Sequence, residues 1–392
     1  MKQNLLSTTA LSLSSFAVAS LGTGVAPAQA SDGIKLEVGG FFDTAYQVNF
    51  DEHGEGDLGN EHNTDGVFNS AEIWFDGEVA LDNGLTAGVH IELEGETSSD
   101  QIDESYAYFS GRYGQLRAGS FDDALEEMCV TPPGATANFG AFSPDMIAAN
   151  IGGAGLTSNT VCTGLTGDAQ KLGYFSPDFG GFTLAVTYAP NAEAESQDDT
   201  GGPHVGMKHH DPGQSRHDTS VYATYDYAGD GWGLAAGGGA AFDGHVEGGG
   251  GATSAAGAAY QAALNLTFGS FAVGGAMEYW DDYGIVDGAS LSHARGARTW
   301  IAGGGASYNV DAWTVGLQYS YGRSELATVD DGGTGDDVVQ ERLALTGIYN
   351  MGPGIDLDAE LAYTWLNSQA PDDHAVDSYD ALEIGLGTAF TF

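Results

Sequence analysis

The chain has 392 residues, with 55 acidic and 11 basic side chains and a formal net charge of −44. This balance argues against a protein that binds nucleic acid, because phosphate contacts need clustered Lys and Arg. A hydrophobic content of 42% with 11% aromatic residues argues against intrinsic disorder. After residue 30, no stretch reaches the 18 consecutive apolar residues of a membrane-spanning helix, whereas spanning strands are short and only half apolar.

The first 30 residues have the composition of a secretory signal peptide. Lys2 is followed by a moderately apolar stretch without acidic residues, and Ala28-Gln29-Ala30 precedes Ser31. This pattern predicts cleavage after Ala30 and export of residues 31–392; the alternative is a disordered N-terminus. The exported part keeps 10 basic and 55 acidic residues, about −45, which suits a saline setting or an interior that handles cations.

From Ile34 onward, apolar and polar residues alternate. Segments 34–50, 85–94, 313–321 and 355–366 all show this period of two, which indicates strands with one apolar and one polar face. Segment 34–50 is long enough to cross a bilayer obliquely. Aromatic residues near the ends of apolar faces are typical of interfacial girdles; they are Tyr46, Trp74, Tyr188, Tyr225, Trp232, Trp300, Trp313 and Tyr363.

The connections between these strands fall into two length classes that alternate along the chain. Short sequences typical of tight hairpins lie at 82–84, 112–114, 178–181, 228–231, 268–270, 309–311 and 351–354. Long polar connections lie near 51–65, 97–101, 122–168, 190–217, 243–252, 282–294, 324–336 and 368–376. The sequence therefore predicts an all-β fold, a 16-stranded antiparallel transmembrane β-barrel with short periplasmic turns and long external loops. A soluble β-sandwich is the alternative, but its turns need not fall into two length classes.

Two segments carry a family resemblance. The C-terminal strand "SYDALEIGLGTAFTF" ends at Phe392, and "GQLRAGSFDDALEE" is followed much later by "KLGYFSPDFGGFTLAVTYAP". Both segments resemble the general porins of Gram-negative bacteria, particularly the alphaproteobacterial type. The resemblance covers residues 31–392 and implies that the third long loop, 122–168, folds into the lumen and narrows the pore. The Pro-Glu-Phe-Gly loop motif of enterobacterial porins is absent from the sequence.

The same resemblance implies a cellular setting. It predicts a protein of the cell outer membrane, exported through the periplasm, in contact with membrane lipid and lipopolysaccharide. It also implies a homotrimer, and it implies that Phe392 is the signal read by the barrel-assembly machinery. Small hydrophilic solutes and cations are the expected cargo, by passive diffusion.

The third long loop begins with four carboxylates at helical spacing, Asp122, Asp123, Glu126 and Glu127. At a pore constriction they would attract cations and resist anions. The alternative is an acidic loop exposed to solvent, in a chain that is acidic throughout.

Strand alternation directs three basic residues toward the lumen: Arg117, Lys171 and Arg342. A basic side chain in lipid costs about 2–4 kcal/mol at the bilayer midplane, so a lumen position is favoured. Facing an acidic loop, such a cluster would create a field across the pore. Arg295, Arg298 and Arg323 are predicted to lie at the outer rim instead.

The only cysteines of the chain, Cys129 and Cys162, both lie in the third loop. In an oxidising compartment we expect them to form a disulfide that holds the loop in one shape. Free thiols or a metal pair are the alternatives, although two Cys without a nearby His make a weak metal site.

Other clusters give weak signals, so we predict no enzymatic activity, no cofactor and no dedicated metal site. His204, His209, His210 and His217 fit no closed zinc template, and "DDGGTGDD" at 330–337 lacks the EF-hand pattern. His90 with Glu92 and Glu94 could mimic a barrel enzyme, yet a lumen-facing strand of an acidic barrel has the same residues. No Gly-x-Ser-x-Gly, Walker or His-Glu-x-x-His motif occurs.

The sequence therefore favours a porin whose acidic, water-filled channel prefers cations. One alternative is a solute-specific outer-membrane channel with a dedicated binding site. The other is a secreted acidic β-sandwich adhesin.

Overall fold

The computed structural model of the protein describes residues 33–53, 63–95, 102–135, 138–142, 160–192, 215–246, 256–286, 289–327, 334–368 and 378–392. The expected signal peptide, residues 1–30, lies outside the described residues. Among the described residues, no helix is long and apolar enough to cross a membrane.

Eighteen strands and one short helix make up the regular structure of the described residues. They are β1 (Lys35–His53), β2 (Asp65–Ala80), β3 (Thr86–Glu94), β4 (Ile102–Gly111), β5 (Gly114–Ser120), α1 (Ala124–Glu127), β6 (Gln170–Phe175), β7 (Phe182–Ala189), β8 (Ser215–Arg216), β9 (Asp218–Ala228), β10 (Trp232–Phe242), β11 (His245–Val246), β12 (Ala258–Phe268), β13 (Phe271–Val286), β14 (Ala289–Val310), β15 (Trp313–Ala327), β16 (Thr334–Gly352), β17 (Ile355–Ser368) and β18 (Ser378–Thr391).

Sixteen of these strands close into one antiparallel barrel, in which each pairs with its neighbours in chain order. The short strands β8 and β11 pair with each other outside the barrel. The first and last strands complete the closure, with Asp43 opposite Ala389. At the edge of that seam, the Phe392 N–H donates to the Gly40 carbonyl oxygen at 3.0 Å. The predicted 16-stranded barrel is confirmed, and the β-sandwich alternative is wrong.

The seven short turns lie where the sequence predicts them, between paired strands at one end of the barrel. In the first, the Leu81 N–H donates to the Leu85 carbonyl oxygen at 2.7 Å. Gly84 and Gly231 adopt φ values of 81° and 85° in their turns, a region that glycine enters without steric cost. Turn chemistry therefore sets the hairpin register at this end.

Two predicted long connections are shorter than expected. β13 and β14 remain paired up to Val286 opposite Ala289, with bulges after Asp281 and Gly284, although the sequence predicts a loop at 282–294. Likewise, β15 extends to Ala327, into the predicted loop at 324–336. A strand that rises beyond the bilayer meets water on both faces, so polar composition there does not end the strand.

Side-chain direction follows the predicted alternation around most of the barrel. Leu116, Leu172 and Leu317 are 59%, 60% and 51% exposed on the outer face, as a surface in contact with lipid requires. Trp74 is an exception to the predicted girdle, because its ring lies on the lumen side over Gly39 while its neighbour Ile73 is exposed outside. The strand register puts Trp74 opposite Gly39 of β1, and paired residues point to the same face of the sheet. The Trp74 side chain therefore points into the lumen.

Candidate functional site

The third loop leaves β5 at Ser120 and turns at once into the barrel. Asp123 caps the four-residue helix α1, and its Oδ1 accepts the N–H groups of Leu125 at 2.9 Å and Glu126 at 3.3 Å. The Ala124 N–H donates to the Thr187 hydroxyl oxygen of β7 at 3.2 Å. Since Ala124 and Leu125 are both fully buried, α1 is fixed against the wall.

Beyond α1, the loop crosses the inner wall from β9 to β16. It is held by lumen-facing amide, hydroxyl and phenol groups that bond its backbone: Tyr222 and Gln261 to Val130, Asn265 to Thr131, Gln318 to Pro132, and Thr346 to Ala135, all at 2.7–3.3 Å. We call these wall residues the docking track. They satisfy the backbone polar groups that an irregular segment would otherwise bury without partners.

Glycines on the same wall let the loop come close. A Cβ on Gly305 would lie 2.1 Å from the Pro133 carbonyl oxygen, and one on Gly316 would lie 2.2 Å from the Ala135 nitrogen. These glycines lie inside β14 and β15, where glycine otherwise weakens a strand. Their function in the fold is to admit the backbone of the loop.

The tip of the loop is anchored to β16, β17 and β18. The backbone and side-chain N–H groups of Asn138 donate to Asp358 Oδ2 at 3.0 and 2.8 Å, and the Gly140 N–H donates to Glu360 Oε2 at 3.0 Å. The Phe139 ring lies against Gly385, where a Cβ would come within 2.6 Å of it. The loop therefore reaches the far side of the lumen, as the resemblance implied.

The two limbs of the loop are joined side by side. Cys129 and Cys162 form a disulfide with a Cα–Cα distance of 5.5 Å, which confirms the predicted pairing. Carboxylates of the outgoing limb also accept N–H groups of the returning limb, Asp123 from Leu165 at 2.9 Å and Glu126 from Gly164 at 3.2 Å.

The four predicted loop carboxylates thus have mainly structural contacts. Asp123 is 1% exposed. Burial, followed by the negative charges of Asp123 and Asp168, raises the pKa of Glu126 to about 8. Burial, followed by the negative charge of Glu126, raises the pKa of Asp122 well above its usual range. Protonation of Glu126 near neutral pH lowers the negative charge that this limb presents.

Glu127 is the loop carboxylate that meets a predicted basic partner. Its Oε1 lies 3.0 Å from Arg117 Nη2, and the Arg117 guanidinium also lies 4.7 Å from the centre of the Tyr106 ring and 4.2 Å from that of Phe175. On the adjacent strand, the Lys171 ammonium donates to the carbonyl oxygens of Phe121 and Gly167 at the loop base.

Arg342 lies apart from this pair, on β16. Its guanidinium bonds Glu360 Oε1 at 2.7 Å, Glu383, the Thr364 hydroxyl at 2.9 Å and the Gly140 carbonyl oxygen at 2.8 Å. The side chains of Glu360 and Glu383 are 0% exposed. The structure therefore brings Arg117 to Glu127 but does not bring Arg342 to them, and all three basic residues are at most 5% exposed.

The lumen faces of β2, β3 and β4 carry a group of carboxylates that we call the acidic wall: Glu72, Asp76, Glu78, Glu92, Glu94 and Glu104. His90 lies among them, with Nδ1 2.6 Å from Asp76 and Nε2 2.7 Å from Glu92. Glu78 is exposed, and the Asp76 side chain is 34% exposed. Asp76 and Glu78 therefore remain accessible to water, in contrast to the carboxylates that hold the loop tip.

Ligand atoms of His90, Glu92 and Glu104 lie within 4.8 Å of one another, as do those of Glu104, Asp122 and Asp168. Both His90 nitrogens already have carboxylate partners. We therefore interpret His90 as a charged residue of the lumen wall and not as a metal ligand. The predicted histidine cluster falls mostly outside the described residues; His217 is described, with Nδ1 2.6 Å from the Tyr188 hydroxyl. Residues 330–333 also lie outside the described part of the chain.

Arg298 and Arg323, predicted at the rim, are both exposed. Arg298 lies within β14, where its Nε is 3.5 Å from Asp281, and Arg323 lies close to the end of β15. The Arg295 side chain lies outside the described part of the chain.

Sequence reasoning missed the docking track. The signal that could have revealed it is the run of small and amide residues at lumen positions of β10, β14 and β15, such as Gly303, Gly305 and Gln318.

A closed 16-stranded barrel with an inward-folded loop defines the porin class of membrane proteins. The profile of the Gram-negative porin family matches residues 10–369, and the chain belongs to this family. Its location is the outer membrane. The family is confirmed, whereas the alphaproteobacterial type stays a prediction.

Two curated relatives are each 28% identical over 240 residues: a protein named monosaccharide porin from Halomonas sp. and a major outer membrane protein from Halomonas elongata. The match covers 58% of this chain and 59% of either relative, so the chain spans about three fifths of their length.

Solved structures show the same fold at low identity. A loop-deletion form of OmpT from Vibrio cholerae is 12% identical with a TM-score of 0.58, and an anion-selective porin from Comamonas acidovorans is 16% identical with a TM-score of 0.57. In both cases the match covers 92% of this chain and 100% of the solved one.

Proposed function

We propose that the chain forms a water-filled, non-enzymatic channel through which ions and small hydrophilic solutes diffuse passively, with a preference for cations. The porin family and the closed barrel support the channel. The cation preference is carried by one observation: the basic lumen residues Arg117, Lys171 and Arg342 are buried against compensating groups, while carboxylates of the acidic wall remain accessible.

The mechanism is electrostatic and geometric. The loop is held along β7 to β18 by the docking track and the tip contacts. We place the ion path on the side of the lumen where Asp76 and Glu78 are accessible. Charges act over a Debye length of about 8 Å at physiological ionic strength, so carboxylates that line a narrowed passage act on every ion that crosses it. A wall of one sign beside a low-dielectric barrel raises the local concentration of cations and excludes anions.

This proposal gives the loop carboxylates a different role from the one that the sequence suggests. Asp123 and Glu126 hold the two limbs of the loop together, and Glu127 compensates Arg117. We therefore assign them mainly to the shape of the constriction, and we assign selectivity to accessible wall residues such as Asp76 and Glu78.

A solute-specific channel is the second candidate, favoured by the name of the monosaccharide porin among the relatives. Flux of a neutral monosaccharide into liposomes that contain the purified protein separates the two. General diffusion predicts a rate that rises linearly with concentration, and the ion current is then unaffected by the sugar. A saturable rate, with block of the ion current by the sugar, would replace the proposal by the solute-specific channel.

We propose a homotrimer in contact with membrane lipid and lipopolysaccharide, and a trimer form of OmpT shares this fold with a TM-score of 0.55. Cross-linking of the detergent-extracted protein, followed by gel electrophoresis, tests the trimer. Bands of two and three subunits are expected, and a single band of one subunit would contradict the trimer. We also propose that the assembly machinery recognises Phe392, which follows β18 and is 65% exposed. Deletion of Phe392 is expected to lower the amount of folded barrel in the outer membrane.

A further inference from the structure

A narrow cavity lies between the third loop and the barrel wall, away from the acidic wall. The loop contributes Asp123, Leu165 and Thr166 to its lining, and β7, β9 and β10 contribute Thr187, Ala189, Asp218, Ser220 and Ala241. Ala189 and Ala241 are each 1% exposed, and their small side chains leave space beside Asp218.

Among the described residues, two oxygen atoms of this lining are buried without a hydrogen-bond partner. They are Oδ2 of Asp218 and Oγ1 of Thr166, in residues that are 1% and 7% exposed. The other carboxylate oxygen of Asp218 is fully used, since it accepts the Gly244 N–H at 3.0 Å and the Ser215 hydroxyl. Buried oxygens in folded proteins nearly always have a partner, so these two indicate a bound species.

Negative charge accumulates around the same cavity. The Ser215 hydroxyl lies between Asp218 and Asp243, with 2.9 Å to Asp243 Oδ1. Asp243 is 7% exposed, and Asp123 on the loop side is 1% exposed. The carboxylates of Asp218 and Asp243, which both contact Ser215, repel each other in a medium of low dielectric constant, and a cation bound at Asp218 lowers that repulsion.

We propose that Asp218 Oδ2 and Thr166 Oγ1 are ligands of a hard metal cation such as Ca²⁺, bound between the returning limb of the loop and β9. The donors around the cavity are all oxygen atoms, the set that hard cations prefer. Ca²⁺ lies about 2.3–2.6 Å from its ligand oxygens, and both Asp218 and Thr166 line the narrow cavity. The Asp123 carboxylate and the hydroxyls of Thr187 and Ser220 complete the donor set.

Such a site joins three parts of the molecule that the chain connects only through long segments. Thr166 belongs to the returning limb, Asp123 to the outgoing limb and Asp218 to the wall. The cation therefore stabilises the folded barrel with its loop in place, since a ligand that binds only the native state raises its stability by mass action.

The test measures heat unfolding of the purified, folded protein in detergent by the circular dichroism of the sheet, in excess Ca²⁺ and in a chelator. Three variants are compared with the natural protein. Asp218→Asn removes the wall ligand, Thr166→Val removes the loop hydroxyl without touching the barrel, and Asp230→Asn removes one charge from an exposed turn. Crystals soaked in Mn²⁺ locate the ion by its anomalous signal.

We expect Ca²⁺ to raise the unfolding midpoint equally in the natural protein and in Asp230→Asn. Asp218→Asn and Thr166→Val each lose more than half of that rise, and the Mn²⁺ peak lies between the two ligand oxygens. Equal losses in Asp218→Asn and Asp230→Asn would overturn the site, because the acidic surface would then account for Ca²⁺ binding. A higher midpoint for Asp218→Asn, independent of Ca²⁺, would show that a proton occupies Asp218.

Discussion

The two sides of the lumen use carboxylates in opposite ways. On β17 and β18, Asp358, Glu360 and Glu383 are buried and bonded to loop N–H groups or to Arg342. On β2, Asp76 and Glu78 remain accessible to water. A lumen carboxylate therefore serves docking where the loop tip or Arg342 reaches it, and our proposal assigns selectivity to the carboxylates that water reaches.

The largest effect is expected from removal of the anchor on the docking side. Arg342→Ala leaves Glu360 and Glu383 buried without their cation, a loss of about 3–5 kcal/mol for a buried pair. The loop tip should leave the wall, which widens the passage. Single-channel recordings should show a larger conductance with more noise, and the barrel should unfold at a lower temperature.

Arg323→Ala is the matched control, because Arg323 is exposed on β15. It should leave conductance and unfolding temperature near those of the natural protein. An Arg342→Ala channel with unchanged conductance and noise would show that the tip contacts do not position the loop.

A smaller effect on conductance is expected from substitution of a wall glycine that the loop backbone contacts. Gly305→Ala places a Cβ at 2.1 Å from the Pro133 carbonyl oxygen, so the loop must shift. Gly347→Ala on β16 places its Cβ at 3.9 Å from the nearest atom, an ordinary contact. Gly305→Ala should change the conductance and Gly347→Ala should not; equal effects would contradict close docking.

Rising pH should destabilise the loop base through Glu126. Because the pKa of Glu126 rises from 4.5 to about 8 on folding, the native state binds more protons than the unfolded state between these values. Stability from this residue therefore falls as pH rises from about 4.5 to 8. Glu126→Gln should flatten that part of the curve of unfolding temperature against pH, by on the order of 1–3 °C. An unchanged slope would contradict the burial of this carboxyl.

The smallest effect on conduction is expected from the disulfide. Cys129→Ser with Cys162→Ser removes a cross-link worth about 3–4 kcal/mol by loop-closure entropy, yet the docking track still holds the loop. Mean conductance should stay close to that of the natural protein, with more frequent brief fluctuations. A conductance as large as that of Arg342→Ala would mean that the disulfide, not the track, fixes the loop.

Local patterns in the sequence predict the wall well and the loop poorly. Alternation places Arg117, Lys171 and Arg342 on the lumen face, and turn residues such as Gly84 mark the hairpins, because strand period and turn chemistry are local properties. The contact of Ala135 with Thr346 joins residues 211 positions apart, and no local period encodes it. The sequence therefore could not show which lumen carboxylates the loop would cover.

The reversal potential of the purified protein in a planar bilayer under a tenfold KCl gradient tests the central claim most directly. The natural channel should give the sign expected for K⁺ permeation. Neutralising the acidic wall with Asp76→Asn, Glu78→Gln and Glu94→Gln should move the potential at least halfway to zero. Neutralising the loop with Asp122→Asn, Asp123→Asn and Glu126→Gln should move it much less. The reverse order, with the loop variant abolishing selectivity and the wall variant keeping it, would contradict the account.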